Sequence, residues 1–306
     1  MTRRTPYTLA LPDGRTLALG ARTLVMGVVN VTPDSFADGG AFLDPARAAA
    51  RAVALDDTGV DLLDIGGEST RPGAEPVPAG EEMRRILPVL DRIAGRVRAP
   101  VSVDTYKAAV ARAALDHGAA IINDVSGLAE GPALAAVAAG AGAPLVLMHN
   151  RGRARDMYRQ ADYRDVGAEV VNELGAIVDR AVAAGVRREQ IVIDPGLGFA
   201  KRPDATLRAL ADLPRLRNLD RPILIGPSRK SFLTAALGHR RPGDREWGTA
   251  AAVAVAAWLG AHIVRVHRAD AQIDAVRVAD AIRAAADTTG SAGAGPAVSP
   301  VLGARS

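Results

Sequence analysis

Cysteine is absent from the 306 residues. That excludes disulfides, thiolate metal ligands and a cysteine nucleophile, and it fits a reducing compartment. Long apolar runs are missing as well. The longest, residues 250–259, is too short to cross a bilayer. Near the start, Pro12, Asp13 and Gly14 interrupt the apolar stretch, so no signal-peptide core forms. A cytoplasmic protein with no membrane partner is expected. Zinc-finger spacing and a basic arm are also lacking. The net charge of +4 suits an anionic ligand, but its arginines are dispersed over helical faces, so no nucleic-acid partner is expected.

What is present is a repeated ending. Eight strand-sized apolar runs finish in polar residues: Asn30, Asp64, Asp104, Asn123-Asp124, His149, Asp194, Gly226 leading to Arg229 and Lys230, and Arg265-Val266-His267. Alanine-rich, arginine-studded stretches of helical length separate them, at 45–57, 80–94, 107–117, 132–139, 165–184, 203–210 and 270–286. The seventh connection is split, 231–237 and 246–259, around Pro242-Gly243. Strand then helix, eight times over, predicts an α/β fold of the (β/α)₈ TIM-barrel class, with its active site at the carboxyl ends of the strands. Residues 1–23 read as a short hairpin turning at Pro12-Asp13-Gly14 and covering the barrel's bottom. Residues 24–287 form the barrel. Residues 288–306, rich in Gly, Ala, Ser and Pro, read as a disordered tail. The strand-end segments 31–44, 66–78 and 150–163 are long enough to be functional loops.

Asp104, Asn123 and Asp194 each end a β-branched run, so each is expected in the barrel mouth with little water. Buried carboxylates must meet donors. Two carboxylates and an amide facing inward match a planar heterocycle carrying several N–H donors. The alternative is that each caps a strand or pairs with a neighbouring cation. In Gly226-Pro227-Ser228-Arg229-Lys230-Ser231, the glycine lets a flat ligand approach the backbone. Ser228 can cap the following helix, whose N-terminus attracts an anion, and Lys230 offers a charge to a ring acceptor. Asn30, Arg265 and His267 lie on adjoining strands and suit a phosphate or pyrophosphate. Residues 30–40, rich in oxygen donors, form a reasonable Mg²⁺ site beside it, and residues 66–73 supply the guanidinium of Arg71.

Read together, Asn-Val-Thr-Pro-Asp-Ser-Phe at 30–36, Gly-Gly-Glu-Ser-Thr-Arg-Pro-Gly at 66–73, Ser-Val-Asp-Thr at 102–105, Asn-Asp-Val-Ser-Gly at 123–127, Leu-Met-His at 147–149, Asp-Pro-Gly-Leu-Gly-Phe at 194–199, Ser-Arg-Lys-Ser-Phe at 228–232 and Arg-Val-His at 265–267 resemble the dihydropteroate synthase family. The resemblance spans about residues 24–282. It implies a transferase of folate biosynthesis that joins a pterin carrying a CH₂-pyrophosphate to p-aminobenzoate and releases pyrophosphate. It implies further that Asp104, Asn123, Asp194, Gly226 and Lys230 hold the pterin, with Met148 and Phe199 against its ring. Asn30, Thr70, Arg71, Arg265 and His267 would hold the pyrophosphate, and Asn30 and Asp38 a Mg²⁺ ion. Phe36, Pro72, Ser228, Arg229 and Ser231 would shape the p-aminobenzoate site, with Arg71 beside it. Asp104, Asp194, Lys230 and Arg71 would carry the catalysis. A homodimer and inhibition by sulfonamides are implied too.

Two positions depart from the family's usual pattern. Arg268 follows His267 where an acidic residue is usual, and Asn150 follows His149 where methionine is common. The shared barrel and pterin contacts leave two other readings. One is a methyltetrahydrofolate-dependent methyltransferase, which needs no pyrophosphate site. The other is a non-catalytic paralogue.

Overall fold

A computed structural model describes residues 3–32, 44–70, 73–152 and 156–288. Phe36, Asp38, Arg71, Pro72 and residues 289–306 of the expected tail lie outside them, while Thr288 still belongs to the last helix. The hairpin is β1 (Tyr7–Ala10) against β2 (Thr16–Leu19), antiparallel, with Ala10 opposite Thr16. The barrel strands follow as β3 (Leu24–Asn30), β4 (Leu62–Gly66), β5 (Val101–Asp104), β6 (Ile121–Asp124), β7 (Leu145–Met148), β8 (Ile191–Asp194), β9 (Leu224–Ile225) and β10 (Ile263–Val266). All eight are parallel. β3 through β8 pair in sequence order, and β10 lies between β3 and β9. Closure between β8 and β9 is thin: Ile193 bridges Ile223, and the Ile193 N–H donates to the Pro222 carbonyl at 2.9 Å. Pro222 has no N–H to extend that ladder, so β9 is the shortest strand of the barrel.

The helices are α1 (Pro45–Asp57), α2 (Ala79–Ile93), α3 (Ala108–Asp116), α4 (Ala133–Ala141), α5 (Val166–Ala183), α6 (Pro203–Ala211), α7 (Thr234–Leu237), α8 (Glu246–Leu259) and α9 (Ala269–Thr288). Local chemistry explains several ends. Asp44 caps α1 by accepting from the Ala46 N–H at 2.8 Å, with Pro45 at the first helical position. α4 runs past the expected end at residue 139, through Gly140, and ends at Gly142, whose φ of +63° suits a helix-ending glycine. The split connection before α8 holds only short turns, 3₁₀ at Ser231–Leu233 and Pro242–Arg245 around one turn of α7.

Strand alternation places two apolar cores. One lies between the sheet and the helices, with Val29, Leu63, Ile65, Val103, Ile122, Leu147, Ile193 and Val264 facing outward from the barrel. The other fills the barrel's base: Met26, Leu62, Ile121, Val146, Val192, Leu224 and Ile263 meet Leu9, Leu11 and Leu19 of the hairpin. The hairpin therefore plugs the amino-terminal end of the barrel, as the sequence predicted. Gln190 pins it there, accepting from the Ala10 N–H at 3.1 Å and donating to the Ala10 carbonyl at 2.7 Å.

Candidate active site

The apolar floor sets the position of the chemistry above it. Two residues beyond the floor positions, on the same face of each strand, stand Val28, Asp64, Asn123, Met148, Asp194, Gly226 and Arg265. On β5 the floor residue is Ser102, and Asp104 follows it. In register, Asp104 neighbours both Gly66 and Asn123, and Met148 neighbours Asp194. The expected pterin residues are thus gathered in one ring at the carboxyl ends of the strands.

Within that ring the charges pair. Arg265 donates from Nε to Asp64 Oδ2 at 2.6 Å and from Nη2 to Asp104 Oδ2 at 2.7 Å. Asn123 Nδ2 donates to the same Asp64 oxygen at 3.0 Å. Asp64 Oδ1 and Ser102 Oγ are buried with no hydrogen-bond partner. Burial pushes the Asp104 carboxyl up to about 7, against the pull of Arg265 and helped by the nearby charge of Asp64. Burial also raises the Asp194 carboxyl, opposed chiefly by Lys230. It lowers the Lys230 ammonium to about 8, opposed by Asp194. Burial works against the Arg265 charge too, but Asp64 and Asp104 outweigh it and hold the guanidinium above its ordinary value.

Asp194 begins a tight turn. One of its carboxylate oxygens accepts from the Gly196 N–H at 2.7 Å, and its carbonyl accepts from the His149 N–H at 2.8 Å. Gly196 has a φ of +65°, and a Cβ there would lie 2.0 Å from the His149 carbonyl oxygen, so only glycine fits. The turn ends at Phe199, whose ring centroid lies 4.6 Å from Lys230 Nζ. Lys230 and Phe199 therefore stand together beside the carboxylate of Asp194. A Cβ on Gly226 would stand 3.8 Å from both Lys230 Nζ and Arg265 Cβ, so this glycine keeps the wall of the ring low.

Other expected site residues are distributed less simply. Asn30 ends β3, and His267 follows β10 with its Nδ1 3.0 Å from Ser228 Oγ. The Ser228 hydroxyl also accepts from the His267 N–H at 3.2 Å. It therefore ties two strand ends together and does not cap a helix as the sequence suggested. Arg229 has a φ of +59°, and its guanidinium turns to Glu246. That left-handed residue reverses the chain, sending Arg229 outward and Lys230 toward the ring. Ser231 is exposed at the start of its 3₁₀ turn. Thr70 lines a cleft at the mouth with Glu68, Tyr106, Asn150 and Phe199. Among the described residues no group of three His, Asp or Glu side chains is placed to hold a metal ion. Of the two expected Mg²⁺ ligands only Asn30 is described.

Sequence reasoning assigned no role to Asp64, although it stands in the same ring. The signal was available: Asp64 follows the inward Leu62 by two residues, just as Asp194 follows Val192. It also left Lys201, His149 and Glu173 without roles. They form a chain behind the Asp194 turn, buried at Lys201 and His149 and reaching part-exposed Glu173, with Lys201 Nζ 2.8 Å from His149 Nδ1 and His149 Nε2 3.0 Å from Glu173 Oε2. Arg268, at the departure from the family pattern, is exposed and pairs with Asp270 at 2.7 Å.

The family described as pterin binding enzyme matches residues 26–267. The dihydropteroate synthase of Synechocystis sp. is 45% identical over 273 residues, covering 89% of this chain and 94% of that one. The dihydropteroate synthase of Xanthomonas albilineans, solved with 4-aminobenzoic acid, superposes with a TM-score of 0.84 at 43% identity, covering 92% of this chain and 99% of that one. The Yersinia pestis enzyme, solved as a sulfonamide drug complex, gives a TM-score of 0.84 at 38% identity, covering 91% and 99%. The family match and these relatives span the barrel that carries the charged ring, and the chain belongs to the pterin binding enzyme family, among the dihydropteroate synthases.

Proposed function

We propose that the chain condenses 6-hydroxymethyl-7,8-dihydropterin pyrophosphate with p-aminobenzoate, giving 7,8-dihydropteroate and pyrophosphate in folate biosynthesis. The observation that carries this is the ring of Asp104, Asn123, Asp194 and Lys230 above a closed apolar floor. It offers acceptors and one cation to a flat heterocycle in a site with little water.

In this reading the pterin N–H groups donate to Asp104, Asn123 and Asp194, and Lys230 donates to a ring acceptor while its alkyl stem and Phe199 cover a ring face. The bond between the pterin CH₂ and the pyrophosphate oxygen breaks, and its electron pair leaves with the pyrophosphate. No protein nucleophile is needed. The carboxylates of Asp104 and Asp194 stabilise the positive charge left on the pterin. The amine of p-aminobenzoate then forms the C–N bond and loses a proton. Asn30, Thr70, Arg71 and His267 hold the departing pyrophosphate, with Arg265 joining them at the edge of the ring. Phe36, Pro72, Ser228, Arg229 and Ser231 border the p-aminobenzoate. Mg²⁺, held by Asn30, Asp38 and the substrate's phosphate oxygens, would neutralise charge on the leaving group.

Sulfonamides, which resemble p-aminobenzoate, are the expected inhibitors. A cytoplasmic homodimer completes the proposal. Its support is apolar surface exposed on two adjoining helices, Trp247 and Val255 of α8 and Val278 and Ile282 of α9. No helix among the described residues is long and apolar enough to cross a membrane.

The deciding experiment gives the purified protein both substrates with Mg²⁺ and follows pyrophosphate and dihydropteroate. Equimolar formation of the two is expected. Methyl transfer from methyltetrahydrofolate without pyrophosphate release would favour the methyltransferase reading, and no turnover of either kind the non-catalytic one.

A further inference from the structure

The turn from Asp194 to Phe199 carries a pterin-binding carboxylate at one end and a ring-covering aromatic at the other. Its backbone is awkward. Gly196, Gly198 and Ala200 all have positive φ, and Ala200, at +47°, pays a steric cost that glycine would not. Something must hold it, and Lys201 is placed to do so. Its side chain is buried to 1% exposure, with Nζ donating to the Gly196 carbonyl at 3.2 Å and the Phe199 carbonyl at 3.1 Å. The third contact is His149 Nδ1 at 2.8 Å.

The protonation pattern is self-consistent. Burial lowers the His149 imidazole to about 4, so the ring is neutral. Its Nε2–H then donates to Glu173 Oε2 at 3.0 Å, which leaves the Nδ1 lone pair to accept from Lys201. Glu173 is in turn held by Arg151, Nε to Oε2 at 3.0 Å. An ammonium has three donors, and here it meets three acceptors. A neutral amine would leave one acceptor unmet. Burial lowers this ammonium to about 7, with Asp194 favouring the charge, so the three acceptors are what hold the proton on it; a methionine would fill the same space without the desolvation cost. The methionine could not, however, tie both ends of the turn.

We infer that Lys201 is a positioning residue: through Gly196, Phe199 and the His149–Glu173 pair it fixes the turn that presents Asp194 and Phe199 to the pterin. This rests on the pterin reading of the site, and it adds a residue that touches no substrate. Tyr163 reinforces the same turn from outside, its hydroxyl donating to the Ala200 carbonyl at 3.0 Å.

The test compares Lys201→Met with the wild-type chain for pterin pyrophosphate affinity by calorimetry, for the KM of each substrate, and for melting temperature. A positioning role predicts that pterin pyrophosphate Kd and KM rise about tenfold or more, as expected for lost charge-assisted hydrogen bonds. The KM for p-aminobenzoate at saturating pterin pyrophosphate would stay within about twofold. A folded Lys201→Met protein with pterin affinity within about twofold of wild type overturns the inference. So does a parallel rise of both KM values with a collapsed melting temperature, which would mark a merely structural lysine. If Lys201→Met does not fold, His149→Leu removes the third acceptor and is judged by the same thresholds. Wild-type protein that neither binds pterin pyrophosphate nor turns over would instead sink the functional reading itself.

Discussion

Arg265 Nε lies 2.6 Å from Asp64 Oδ2, an ion pair inside the barrel whose carboxylate is fully buried. Asp104 shares the same guanidinium, so one cation balances two acids at the centre of the ring. Asp64→Ala leaves Arg265 paired with Asp104 but strands two buried donors, Arg265 Nε and Asn123 Nδ2, without their acceptor. It is therefore expected to destabilise the apo protein by roughly 1–3 kcal/mol. Denaturant unfolding checks it. A loss under about 1 kcal/mol would mean the pair contributes nothing that solvent cannot replace.

Asp104→Asn and Asp194→Asn each remove a charged acceptor while keeping the side chain's shape. Each should weaken pterin binding by about 1.5–3 kcal/mol, the range for a hydrogen bond to a charged group. Asp194→Asn also puts an amide where the Gly196 N–H now finds a carboxylate, so the turn is expected to loosen with it. Calorimetry with pterin pyrophosphate is the measurement, and unchanged affinity in both variants would remove these carboxylates from the pterin site.

Gly196→Ala should be among the most damaging single changes in the turn. The added Cβ would overlap the His149 carbonyl, backbone against backbone, at a φ that alanine resists. A stability loss above about 4 kcal/mol or an insoluble product is expected. Thermal melting within a degree or two of wild type would show that the turn is not held as described.

Much of this was legible beforehand because alternation in a barrel strand is rigid. Once Leu62, Ile121, Val192 and Ile263 face the floor, Asp64, Asn123, Asp194 and Arg265 must face the site. Tertiary partners were not legible. Arg265 and His267 share a face and look like a donor pair, yet Arg265 turns to two carboxylates and His267 to Ser228. Nothing in the local sequence says that Ser228 bonds a strand end 39 positions away instead of capping the turn that follows it. Lys201 was invisible for a similar reason: on paper it is an ordinary loop lysine, and only the fold of the Asp194 turn buries it.

Arg268 stands where the family resemblance leads one to expect an acid. It is exposed, just past β10, and its guanidinium meets Asp270. The neighbouring His267 carbonyl is held independently by Arg51 Nη2 at 2.7 Å. An exposed pair of this kind contributes little. Arg268→Ala and Asp270→Ala are both expected to keep turnover within about twofold of wild type, with Asp270→Ala the more harmful because it removes the acceptor that orients this strand end, whereas a cation near the pyrophosphate site does not hurt binding. Loss of turnover in Arg268→Ala alone would show that the arginine has taken on a substrate contact.

The base of the barrel should impose an acid limit through His262. Its Nδ1 accepts from the Ile223 N–H at 3.1 Å, and its Nε2 lies 3.0 Å from the Thr5 carbonyl, tying β9 to the hairpin. Burial lowers this imidazole from 6.5 to about 4. The unfolded chain therefore takes up a proton near pH 6.5 while the folded chain resists until about pH 4. Between those values the unfolded state binds more protons, so stability rises with pH and is lost as pH falls through the window. His149 titrates in the same direction, and the raised carboxyl of Asp104 in the opposite one, so the wild-type curve alone is not diagnostic. The difference between wild type and His262→Gln isolates the group. The glutamine cannot take up that proton, so the stability gap between the two should narrow by about 3 kcal/mol from pH 7 to pH 4. Chemical denaturation at a series of pH values measures it, and parallel curves would mean that His262 is protonated, or free to become so, in the folded protein.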